Sequence, residues 1–135
     1  MDYSSILSAL IGGTVAIFVK YFFDKRKEDY FNLNKIMEDK YRSLLIFMAC
    51  SLDIKKKKHF TLSEQYPAES EKEYLEKVKE YYYHSLLYSP DEVLLKLKKF
   101  IQDPTQGNYI EVAKAMRKDL WRRKTKLTEK DIIIK

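Results

Sequence analysis

The chain has 135 residues, with 26 Lys plus Arg against 20 Asp plus Glu, and only 3 Gly, 3 Pro and 1 Cys. Its length fits one small domain with at most one appended segment, and so few Gly and Pro argue against an all-β protein that needs many tight turns. The lone Cys50 excludes a disulfide scaffold and cannot by itself make a zinc site.

Ile6 to Val19 read ILSALIGGTVAIFV without a formal charge, and the apolar run continues past Lys20 to Phe23. Tyr3 to Phe23 is 21 residues, which as a helix would span the roughly 30 Å of a hydrocarbon core. Lys20 can carry its charge to the boundary on its long stem, alongside Lys25, Arg26 and Lys27, and aromatic residues stand at both ends of the run. A cleaved signal peptide would need a basic start and small residues at its end, whereas the start here is Met1-Asp2-Tyr3. The expected organisation is a transmembrane segment over 1–24 and a cytoplasmic helical domain over 25–135. The basic residues after the span place the N-terminus outside and the C-terminal part in the cytoplasm. Within the span, Ser5, Ala9 and Gly13 form one row at spacing four, and Ser8, Gly12 and Ala16 an adjoining one. Rows of small residues let helix backbones approach closely in lipid, so a homo-oligomer is expected.

After position 24 the chain carries 25 basic and 18 acidic residues, a net +7 of mixed pattern. Tyr30, Leu33, Met37, Tyr41, Leu44 and Met48 recur at intervals of three and four, the mark of one helix face. Without Pro or Gly from Thr14 to Leu52, the membrane helix is expected to run on as a stalk over 25–52, with any bend near Asp24. Residues 53–69 lose the period and read as a loop. A helix over 70–88 begins with Ser70 and Glu73 at capping-box spacing, and Leu75, Val78, Tyr82 and Ser85-Leu86 mark its buried face. Ser89-Pro90-Asp91-Glu92 predicts a capping Ser, Pro at the first helical position and a helix over 90–102, with Leu94, Leu97 and Phe100-Ile101 inward. Asp103 to Asn108 should break the chain before a helix over 109–123, whose inner side carries Tyr109, Ala113, Met116 and Leu120. In the tail, Thr128 and Asp131 have capping spacing, and Ile132-Ile133-Ile134 should dock on the bundle or a partner. The fold class is all-α: one N-terminal transmembrane helix continuing into a stalk, then a small helical bundle.

Two basic clusters are candidates for anionic ligands or lipid. Lys55, Lys56, Lys57 and Lys58 could meet acidic headgroups, but a straight stalk would hold them roughly 42 Å from Asp24, beyond the Debye length of about 8 Å. Arg117, Lys118, Arg122, Arg123, Lys124 and Lys126 gather around Trp121, where phosphates and stacked bases could bind. The alternative there is favourable charge at a helix C-terminus with Trp121 packed on the bundle. Tyr81, Tyr82 and Tyr83 point around their helix, so one is expected inside and two at a surface. Neither His59 nor His84 has a partner at metal-ligand spacing, no Gly-rich phosphate loop or nucleophile elbow occurs, and Glu71, Glu73, Glu76 and Glu80 are spaced as helix partners of Lys72, Lys77 and Lys79. No catalytic residue, metal or cofactor is expected.

Ala115-Met116-Arg117-Lys118-Asp119-Leu120, followed by Thr125-Lys126-Leu127-Thr128-Glu129-Lys130-Asp131, resembles the ending of many small uncharacterised prokaryotic single-pass membrane proteins with a C-terminal helical domain. Those endings usually have Gly after the Asp-Leu pair, where this chain has Trp121. The resemblance implies a membrane-anchored helical protein of mobile-element or antiviral-defence settings and transfers no catalytic residue.

The reading is thus a non-enzymatic protein of the cell membrane that self-associates or binds a cytoplasmic protein partner, with a defence-type membrane effector as a specialisation. The alternative is a tethered binding module for nucleic acid or a nucleotide ligand. The expected partners are the lipid bilayer and further copies of the chain; nucleic acid is not among them.

Overall fold

The computed structural model describes residues 3–60, 68–122 and 126–134. Every regular element among them is helical: α1 (Tyr3–Leu52), a 3-10 helix (Ile54–His59), α2 (Glu71–Ser85), α3 (Asp91–Gln102), α4 (Gln106–Trp121) and α5 (Glu129–Ile132). The chain divides into two compact units, Met1–Met37 and Glu38–Lys135, and α1 runs unbroken through Asp24 into the second.

The first unit buries none of its described side chains except Met37. Tyr30 and Leu33, which share the apolar stripe of Tyr41 and Leu44, stay exposed. The stripe therefore begins before the residues that become covered.

The second unit is an alternating bundle of four helical pieces, the last part of α1 and then α2, α3 and α4. Three contacts fix the sense of α1 against α2: Lys40 lies over the Tyr88 ring at 4.1 Å, Phe47 packs on Tyr74 and Tyr81, and the Ile54 N–H donates to Glu71. α4 returns along α3, with Lys96 bonded to Glu111 and Lys118 to Glu92. Tyr41, Leu44, Phe47, Met48, Val78, Val93, Leu97, Phe100, Ile110, Val112 and Met116 fill the core. Burying a side chain of this size is worth about 1.5–3 kcal/mol against leaving it in water.

Local chemistry explains where the elements begin. Ser70 Oγ accepts from the Glu73 N–H at 3.2 Å, while the Glu73 carboxylate reaches back to the Glu69 N–H, one residue beyond the standard box. Thr105 Oγ1 accepts from Asn108 N–H, so α4 starts at Gln106 and takes in Gly107 and Asn108, three residues earlier than expected. Ser89 does not cap α3. Pro90 holds the cap position, its carbonyl accepting from Leu94 N–H, and the Ser89 hydroxyl is buried beside the Tyr41 phenol without hydrogen-bond geometry. Part of the expected loop is ordered too, because Asp53 accepts from Lys55 N–H and starts the 3-10 helix.

Several expected faces are rotated. On α2 the buried positions are Tyr74, Val78 and Ser85, with Leu75 and Tyr82 half-buried and Leu86 exposed. On α3 Val93 is buried and Leu94 and Ile101 only partly, and on α4 Ile110, Val112 and Ala115 are buried while Tyr109, Ala113 and Leu120 are half-covered. In the tail, Asp131 Oδ2 accepts from both the N–H and the hydroxyl of Thr128, yet only Ile132 is partly covered and Ile134 is 96 % exposed.

Candidate functional site

One described helix, α1, is long and apolar enough to cross a membrane, and none of the described residues of its most apolar stretch is buried. At about 100° per residue, Ser5, Ser8, Ala9, Gly12, Gly13 and Ala16 fall within roughly 140° of the helix circumference. Ile6, Ile11, Val15, Ile17 and Phe18 fall outside that arc and are exposed. Two hydroxyls of the stretch are satisfied within the helix: Ser8 donates to the Ser4 carbonyl at 2.7 Å and Thr14 to that of Ile11 at 3.1 Å. That is what hydrocarbon requires of a polar side chain. Past the apolar run, the Arg26 guanidinium sits 4.6 Å from the centre of the Phe22 ring, a cation–π pair suited to an interface.

In the second unit the candidate cations do not form one site. The near end of the bundle holds residues 38–41, the α2–α3 turn and the exit of α4; the far end holds the 3-10 helix, the start of α2 and the α3–α4 turn. Lys55 to Lys58 lie at the far end, and Arg117 and Arg122 at the near end. Arg123 and Lys124 lie outside the described residues.

Lys55, Lys57 and Lys58 line an open depression with Ile54. Lys57 is spent on structure, its ammonium donating to the Ala68 carbonyl at 2.8 Å. Lys55 and Lys58, three apart and hence on one edge of the 3-10 helix, are both exposed. Cys50 is buried close by, and burial pushes its thiol up, so it is not a ready thiolate.

At the near end Tyr41, 2 % exposed, donates its hydroxyl to Asp119 Oδ2 at 2.7 Å. Burial raises the Tyr41 phenol far above its ordinary value, with Asp119 adding to the rise. This gives the Ala115–Leu120 stretch a structural account: Ala115 and Met116 enter the core, Lys118 pairs with Glu92 at 2.6 Å, and Asp119 ties α4 to α1. Arg117 stays exposed and lines an open groove with Glu38, Arg42, Leu45, Leu120 and Trp121. Trp121 is not packed on the bundle; it is 71 % exposed. The left-handed residue that ends α4 is Arg122, at φ 51°, so position 121 remains helical and does not itself call for glycine.

The tyrosine tract is split three ways. Tyr81 packs edge-on against Phe47 at 5.1 Å, Tyr82 is half-buried, and Tyr83 is exposed. Lys77–Glu80 and Lys79–Glu76 pair along α2, whereas Glu71 and Glu73 serve backbone donors instead. Among the described residues no group of three or more His, Cys, Asp and Glu side chains converges as a metal site. Comparison of the chain with protein-family models, curated proteins and solved structures finds no match.

Proposed function

We propose that the protein is a non-enzymatic single-pass membrane protein whose α1 both anchors it and associates with other copies, leaving the bundle in the cytoplasm to engage a protein partner. The observation that carries this reading is the uncovered apolar stretch of α1. A soluble helix of that composition would bury a face, and this one buries none. The arc of small residues supplies a packing face of the kind lipid-embedded helices use, bordered by bulky side chains suited to acyl chains. The charge after the span supports an outside N-terminus. A nucleic-acid reading of the α4 exit draws less support, because Asp119, Glu92 and Glu38 are interleaved with Arg117, Lys118 and Arg42 there.

The test is extraction and mass of the full chain. It should stay with membranes at alkaline pH and form a discrete oligomer in lipid nanodiscs. Release into the supernatant would end the anchoring reading. A Cβ built on Gly12 or Gly13 meets nothing within 4 Å in the single chain, so Gly12→Leu leaves the protomer's own packing unaltered. It is expected to shift the oligomer toward monomer, and an unchanged mass distribution would remove the small-residue face from the account.

A further inference from the structure

The apolar stripe of α1 outruns what the chain itself covers. Phe23, Tyr30, Leu33 and Met37 follow one another at steps of seven, three and four residues, the heptad spacing of a coiled-coil seam. Met37 is buried, whereas Phe23 is 56 % exposed, Tyr30 40 % and Leu33 58 %. All four lie in the first unit and on one unbroken helix, so their directions compare directly with those of the span. An α-helix completes five turns in about 18 residues. Ser5 and Phe23, Gly12 and Tyr30, and Ala16 and Asn34 are each 18 apart, so the arc of small residues and the stalk stripe look out from the same side of α1.

The residues beside the stripe argue against hydrocarbon as its cover. Lys25, Arg26, Lys27, Glu28, Asp29 and Lys35 surround it, and charges of both signs are costly in a bilayer core. They suit a second copy of the same helix. At about 100° per residue, the exposed Lys27 stands roughly 75° to one side of the stripe's centre and the exposed Asp29 roughly 85° to the other. Two parallel helices related by a two-fold axis bring opposite flanks together, so unlike charges would meet on both sides of the seam. Copies inserted with the same orientation are parallel and in register, the arrangement this pairing requires. Arg26, which also lies toward the stripe, stacks on its own Phe22 ring at 4.6 Å.

We infer that the stalk of α1 pairs with that of a second copy as a parallel coiled coil, from Phe23 to Leu33, in line with the small-residue face of the span. The inference rests on the self-association reading above and adds a crossing geometry to it. Helices that touch at both Gly12 and Leu33 cross at the shallow angle of about 20°, because at the steeper right-handed crossing of about 40° they would separate before the stalk.

The parent chain carries only Cys50, which is buried, so a cysteine placed on the stalk reports by itself and the parent serves as its control. The full chain is reconstituted in lipid nanodiscs, its oligomer mass is measured, and single variants are oxidised and resolved without reductant. Tyr30→Cys and Leu33→Cys should give disulfide-linked dimers, whereas Glu28→Cys, Asn32→Cys and Lys35→Cys, on the opposite side of the helix, should give little. Leu33→Asp should shift the oligomer toward monomer while alkaline extraction, helix content and thermal unfolding of the bundle stay as in the parent, since Leu33 is exposed in the protomer. Three outcomes in an oligomeric parent overturn the inference: no cross-linking at positions 30 and 33, cross-linking as strong at positions 28, 32 and 35, and an oligomer unaltered by Leu33→Asp. A parent that is monomeric in nanodiscs fails the self-association reading itself, and the inference falls with it.

Discussion

Ile17 in the first unit and Leu95 in the second are almost equally exposed, at 69 % and 68 %, yet their surroundings differ. Around Ile17, Phe18, Val19, Tyr21 and Phe22 are exposed as well, and nearby hydroxyls bond back to their own helix. Around Leu95, Lys98 and Lys99 face water and Lys96 pairs with Glu111, while Val93 and Leu97 are fully buried. An isolated exposed leucine is ordinary on a helical bundle, whereas a long apolar stretch with no buried residue calls for a cover from outside the chain, lipid or another copy. Context decides what exposure means: the apolar stretch of the first unit has no cover of its own, and the second unit carries its own oil within.

The sharpest way to break this contrast is to cut one phenylalanine from each unit. Phe100 is fully buried, and Phe100→Ala should cost about 3–5 kcal/mol of bundle stability through lost transfer energy and a residual cavity. Phe18→Ala should leave the bundle's thermal unfolding where it was, since Phe18 belongs to the other unit. Comparable losses from both would mean that the units are not separately stabilised. A smaller effect comes from placing a charge on each exposed surface. Ile17→Lys should cost roughly 2.5–3.5 kcal/mol of membrane insertion, read as the inserted fraction in an in vitro translocation assay. Leu95→Lys should alter bundle stability by no more than about 0.5 kcal/mol. Normal insertion of the Ile17→Lys chain would place that face out of the hydrocarbon.

The contrast between units was legible because composition changes abruptly: no charge occurs from Ile6 to Val19, whereas charges crowd the chain from Asp24 onward. The order of the four long helices followed from periodicity and breakers, whereas the 3-10 helix Ile54–His59 and the short α5 did not. Which side of each helix faces inward was harder. On α2, Leu75 looks like a core residue and Tyr74 does not, yet Tyr74 is buried, its ring packed near Phe47. A tyrosine can bury its ring and still keep its hydroxyl available for a partner, so polarity scales misjudge its side. Tyr30 and Leu33 continue the α1 stripe beyond the point where anything covers them, because a period along one helix says nothing about how far its neighbours reach. Ser89 has the ideal identity for a cap, but the bundle takes it inside beside Tyr41, a tertiary demand that four local residues cannot announce. The exposure of Trp121 likewise depends on where α4 ends, at the left-handed Arg122.

The smallest predicted effect concerns the one polar bond that ties α1 to the α4 exit. Tyr41→Phe keeps the ring and removes the hydroxyl, leaving the half-buried Asp119 carboxylate without that donor, at a cost of about 1–2 kcal/mol near neutral pH. The alkaline limb separates this bond from simple packing. Tyr41 is raised in the folded state above its ordinary 10.0 by burial above all, a rise that Ser89 opposes and Asp119 adds to, so the folded protein favours the protonated phenol more than the unfolded chain does. The contribution is fully present below about pH 10 and is lost as pH climbs from there toward the folded value, because the unfolded state releases its proton first. Tyr88 and Tyr109, both raised by burial, act in the same direction. Denaturant unfolding of the full chain as a function of pH should show parent stability falling above pH 10 and a shallower fall in Tyr41→Phe, with the two curves converging. Parallel curves across that range would mean that the Tyr41 phenol is no more protected than an exposed one. The bundle core would then end short of the α4 exit, and the boundary between the uncovered and self-covered stretches of α1 would lie further along than Met37.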